Sequence, residues 1–139
     1  MRTMRFLALA LTAGALGAAP PALAASVTLV STLNGANEPG GGDTDGEGAF
    51  TVDIDADAGD FCYTLTASKI AKATMAHVHS GAAGANGPPV VTIDVASDEC
   101  VAVDPEKLKA IVAAPADYYV NVHNAEFPAG AIRGQLSTK

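Results

Sequence analysis

The sequence predicts an all-β domain: an antiparallel, Greek-key-like β-sandwich or barrel with one short helix, following an N-terminal signal peptide. Three observations lead there. Short runs alternating apolar and polar residues recur between glycine- and proline-rich turns. One stretch alone combines a helix-start signal with an apolar face at helical spacing. The first 25 residues have the three-part layout of an export signal.

That leader reads MRTMRFLALALTAGALGAAPPALAA. Arg2 and Arg5 supply the positive start, Phe6 to Ala19 the uncharged apolar run, and Ala22-Leu23-Ala24 the small-x-small cleavage pattern. The run is shorter than the roughly 20 residues that span a bilayer. Cleavage is expected after Ala24, giving a signal peptide over 1–24 and a single domain over 25–139. The expected compartment is the periplasm or the external medium, with no membrane insertion of the mature chain.

In the mature part, Val27 to Leu33 is a first strand, and the glycine-rich stretch from Asn34 to Gly48 is a long loop. Ala49 to Asp55 alternates cleanly, with Phe50, Val52 and Ile54 on one face and Thr51, Asp53 and Asp55 on the other. Ala56 to Asp60 turns the chain into Phe61 to Ala67. Met75 to His79 and Val90 to Val95 are two further strands, joined by the loop Ser80 to Pro89. Asp104 suits an N-cap, Pro105 the first helical position and Glu106 the positive helix end, while Leu108, Ile111 and Val112 share a face and Pro115 stops the helix. Tyr118 to His123 and Ala131 to Leu136 close the domain.

Charge narrows the partners. The chain carries 8 basic and 15 acidic residues, a net charge of −7, and losing Arg2 and Arg5 with the leader brings the mature part to −9. Such an acidic surface excludes nucleic acid, which rewards clustered Lys and Arg. A protein or surface partner of unknown identity stays open. Cys62 and Cys100 are the only cysteines. Export places them where disulfides persist, and their spacing is not that of a CxxC metal site, so a structural bridge is expected. The acidic stretches around Asp43 and Asp53 are only weak calcium-loop candidates, the second failing the EF-hand register because Gly59 is one place late and Thr64 stands at the twelfth position, and no serine stands in a nucleophile-elbow context.

The candidate chemistry lies in the three histidines. In Met75-Ala76-His77-Val78-His79 the period of two puts Met75, His77 and His79 on one strand face. His123 ends a second strand, on the face of Tyr119 and Asn121. If those strands are neighbours, three imidazoles meet. Three neutral imidazoles suit copper, and after it zinc, with the Met75 thioether as an additional donor that shifts preference towards copper(I). The other reading is that the histidines hydrogen-bond loop backbone and hold the rim together.

The ordered motifs Leu33-Asn34-Gly35-Ala36-Asn37-Glu38, Ala76-His77-Val78-His79-Ser80-Gly81, Tyr119-Val120-Asn121-Val122-His123 and Pro128-Ala129-Gly130-Ala131-Ile132-Arg133-Gly134-Gln135-Leu136 resemble the CHRD (chordin) domain family. The resemblance spans about Val27 to Leu136, and thus the domain over 25–139. It implies an exported single-domain binding module of the bacterial type. It covers one module and not the cysteine-rich repeats of chordin, so no growth-factor ligand is implied. The site is also similar, at a greater distance, to copper/zinc superoxide dismutase. That similarity implies copper ligation by His77, His79 and His123 and makes Arg133 a guide for small anions. The segment from Ser80 to Asn121 contains no histidine, so the bridging and zinc-binding ligands of that enzyme have no counterpart. The expectation is therefore a metal-binding module rather than an enzyme, with a structural or adhesive interaction module as the alternative.

Overall fold

A computed structural model describes residues 25–95 and 98–139; the expected signal peptide, 1–24, lies outside the described residues. Nine strands make one continuous sheet: β1 (Val27–Asn34), β2 (Glu47–Asp55), β3 (Asp60–Ser68), β4 (Ala73–Ser80), β5 (Pro89–Ile93), β6 (Asp98–Ala102), β7 (Tyr118–Asn124), β8 (Ile132–Gln135) and β9 (Ser137–Thr138). Their order is β5-β4-β7-β8-β1-β2-β3-β6, with β9 paired to β1. Every pairing is antiparallel. The sheet curls into a half-barrel, so that strands far apart in the order share one core. This meets the expectation of an antiparallel sandwich or barrel.

The alternation read from the sequence is what builds that core. Phe50, Val52 and Ile54 of β2 pack with Phe61, Tyr63 and Leu65 of β3, Ala76 and Val78 of β4, and Val120 and Val122 of β7. Helix α1 (Pro105–Ala113) covers one flank through Leu108 and Ile111, each fully buried. Its start is the expected one: the Asp104 side chain accepts a hydrogen bond from the Glu106 N–H at 2.8 Å, and Pro105 opens the helix. At the 56–60 hairpin, the Asp55 carboxylate accepts from the N–H groups of Asp57 and Ala58. The Cys62–Cys100 disulfide joins β3 to β6.

Strands β5, β6 and β9 differ from the sequence expectation, β9 being a two-residue pairing with β1 that follows the last expected strand. Residues 98–102, short and mostly exposed, form β6 because β3 offers them a free edge, on which Cys62 stands opposite Cys100. The strand expected over 90–95 ends at Ile93, where Asp94 turns away to donate its N–H to the Tyr63 hydroxyl at 2.8 Å. Among the described residues, no helix is long and apolar enough to cross a membrane.

β7 positions the site. It lies between β4 and β8, and its residues after Tyr118 are buried on both faces. The inner face carries Val120 and Val122. The outer face carries Tyr119, Asn121 and His123, under the loops after β1 and β4.

Candidate metal centre

β4 and β7 are direct neighbours, with Met75 opposite His123, His77 opposite Asn121 and His79 opposite Tyr119. One ring nitrogen from each of His77, His79 and His123 lies within 4.8 Å of the other two. His77 Nδ1 and His123 Nε2 are 3.4 Å apart. Ligands held about 2.0 Å from a tetrahedral metal ion are themselves about 3.3 Å apart, so this pair already has the spacing of two donors on one ion.

The Nδ1 atoms of His79 and His123 are tied to loop backbone. His79 Nδ1 donates to the Gly87 carbonyl at 2.9 Å and His123 Nδ1 to the Pro128 carbonyl at 3.0 Å. These bonds put the lone pair of each ring on Nε2, which in His123 faces His77 Nδ1. His79 Nε2 is buried and has no hydrogen-bond partner. Burial is the main influence holding all three imidazoles below their ordinary value. The neighbouring His123 lowers His77 further. The carbonyl bonds of His79 and His123 act in the opposite sense, and the positive charge of Arg133 lowers both again. The centre is therefore held neutral, as ligation requires.

Behind the histidines stands a polar layer that sequence reasoning reached only in part. The Tyr119 ring stacks on His79, with centroids 4.9 Å apart and planes 3° apart, and Arg133 Cζ lies 3.8 Å from the Tyr119 centroid. Arg133, 3% exposed, donates to the Ala85 carbonyl at 2.9 Å and to Asn86 Oδ1 at 2.8 Å. Its Nε stands 3.2 Å from Glu38 Oε2, an ion pair without hydrogen-bond alignment. Glu38 also accepts a short hydrogen bond from Asn121 Nδ2. Burial raises the Glu38 carboxyl above its ordinary value, with Arg133 and then Asn121 acting against that rise. Gly130 (φ +142°) closes the layer, since a Cβ there would strike Asn121 Nδ2 and Glu38 Oε1.

Each predicted residue thus has a place. His77, His79 and His123 converge. Met75 stands across the ladder from His123 and is half exposed. Arg133, expected to guide small anions, is buried in contacts with Glu38, Tyr119 and the loop 81–88. Glu38 was not singled out as a site residue, although it ends a quoted motif. A lone acid in a glycine-rich loop carries no local signal that it will be buried.

These features define a class, a disulfide-bridged antiparallel β domain of the kind found in extracellular or exported proteins. The CHRD domain model matches residues 29–136, and the chain belongs to the CHRD family. No curated protein and no solved structure shows significant similarity to it.

Proposed function

We propose that this CHRD domain is an exported, non-enzymatic binding module that holds one copper ion, or in second place zinc, through His77, His79 and His123, with residues 1–24 as its export signal. The observation that carries this reading is the division of labour within the rings. Two histidines spend Nδ1 on loop carbonyls and so turn the Nε2 lone pair towards the group, that of His123 facing His77 Nδ1 and that of His79 unpartnered, the arrangement by which proteins orient imidazole ligands. A purely structural rim histidine would have no reason to bury a second, unpartnered nitrogen.

A second reading keeps the same carbonyl bonds as the whole purpose of His79 and His123, in a structural or adhesive module with no metal. One experiment separates the two. Purified mature protein should take up about one copper per chain and melt at a higher temperature when loaded, because a ligand that binds only the folded state stabilises it. His77→Ala with His79→Ala should abolish both effects while sparing the circular dichroism spectrum. Melting indifferent to copper, zinc and chelator would establish the metal-free module instead.

A further inference from the structure

We propose that the three-histidine centre selects monovalent copper, and that Met75 supplies its fourth, soft donor. The inference rests on the metal-binding reading above and adds the charge of the ion and the residue that completes its ligand set.

The first argument is electrostatic. Among the described residues, the converging group consists of three histidines, with no carboxylate or thiolate among them. Both cysteines are in the disulfide. Glu38, the buried acid of this layer, is already engaged by Arg133 and Asn121. An ion entering here keeps its full charge, beside a guanidinium whose positive field reaches His79 and His123. The cost of desolvating an ion grows with the square of its charge, so a divalent ion is penalised roughly four times as heavily as a monovalent one.

The second argument is positional. Met75 shares the strand face of His77, about 7 Å away between Cα atoms, and stands directly opposite His123 across the ladder. It is 48% exposed, one of two large apolar side chains so exposed among the described residues. A single exposed methionine is ordinary on a surface; this one stands at the His123 end of the ladder, away from the end where Tyr119 stacks on His79. Its three rotatable bonds let the thioether swing towards the rings. A thioether is a donor for copper(I) and a poor one for zinc(II).

The test uses the mature chain with its disulfide intact, as wild type, Met75→Leu, and the His77→Ala/His79→Ala pair. Copper(I) affinity is read anaerobically by competition with a chromogenic copper(I) chelator, and zinc(II) affinity with a zinc indicator. Met75→Leu preserves volume at a half-exposed position, so the fold is kept. The expected result is copper(I) bound at least about 100-fold more tightly than zinc(II), and a loss of about 10-fold or more in copper(I) affinity for Met75→Leu with zinc(II) changed less than about twofold. The Met75 methyl resonance should also shift on adding silver(I), a closed-shell stand-in for copper(I). Zinc(II) bound as tightly as copper(I), or a Met75→Leu variant matching wild type for both ions, would overturn the inference. If the histidine pair still abolished binding in that case, the three-histidine centre would stand without it. Binding retained by the histidine pair would remove both.

Discussion

Arg133→Met separates what this layer does for stability from what it does for the histidines. The substitution keeps an aliphatic stem and removes the counter-charge of Glu38, whose side chain is 4% exposed. Breaking a buried pair by deleting one partner costs about 3–5 kcal/mol, a large share of the roughly 5–15 kcal/mol that holds such a domain together. The deficit must depend on pH. Burial already raises the Glu38 carboxyl above 4.5, and Arg133 is the larger of the two groups opposing that rise. Without Arg133 the folded-state value climbs further. Between 4.5 and that value the folded chain binds more protons than the unfolded one, so the stability of the variant falls as pH rises through the window. The deficit is therefore largest near pH 7.5 and smallest near pH 4.5. Glu38→Leu with Arg133→Met removes both charges and should return to within about 1–2 kcal/mol of wild type. Metal affinity should not recover with it. Arg133 holds Ala85 and Asn86, and the next residue, Gly87, accepts the His79 Nδ1 hydrogen bond and donates to the Tyr119 hydroxyl at 3.2 Å. Loss of such outer support costs about 10- to 100-fold in affinity. Urea denaturation at both pH values, and copper competition at pH 7.5, provide the measurements. A double variant that binds copper like wild type, or a single variant within about 1 kcal/mol of wild type at pH 7.5, would refute this positioning role.

Two further predictions concern the same fold. Because all three histidines stand below 6.5 in the folded state, the unfolded chain binds more protons between each folded value and 6.5. Their contribution to stability is full above about pH 6.5 and is lost as pH falls through the folded values; urea midpoints of the metal-free protein between pH 7.5 and 5 should fall, and fall less in His77→Ala/His79→Ala. The Cys62–Cys100 bridge closes a sequence separation of 38, which in the chain-entropy model is about 4 kcal/mol, or a melting point about 15 °C lower after reduction; equal melting of oxidised and reduced protein would exclude it as a main source of stability.

Much of this was legible in the sequence wherever a residue's role is set by its near neighbours. Period two put His77 and His79 on one face, and the same rule placed His123 with Tyr119 and Asn121. Asp104 and Pro105 announced the helix. What local pattern could not supply was adjacency. That β4 lies against β7, and β8 against β1, depends on the order of strands in the sheet, which joins residues 46 apart at His77 and His123 and 95 apart at Glu38 and Arg133. β6 escaped detection because its partner, not its own alternation, makes it a strand. Gly134 fits the expectation of a glycine where a Cβ would clash, and the pairing of β8 with β1 supplies the group it would strike, the Thr32 carbonyl.

The cost of the polar layer is itself an argument for what it supports. An outer sheet face left to water would satisfy His77, His79, Asn121 and Arg133 without further structure. Here the loops after β1 and β4 cover that face, and the groups beneath must satisfy one another. They do so incompletely. Four buried side-chain atoms lack a hydrogen-bond partner among the described residues, and three of them, His79 Nε2, Asn121 Oδ1 and Arg133 Nε, lie in this one layer. Each buried polar atom left in that state costs about 1–3 kcal/mol, and an apolar Leu or Val at the same positions would avoid the cost altogether. Arg133 Nε is offset by the Glu38 carboxylate 3.2 Å away. Among the described residues, nothing offsets His79 Nε2. Its ring is held through Nδ1 by the Gly87 carbonyl and by stacking on Tyr119, and the Nε2 lone pair stays bare beside the other imidazoles. The arrangement is costly for a rim and inexpensive for a ligand, because a bound cation would meet the demand of His79 Nε2.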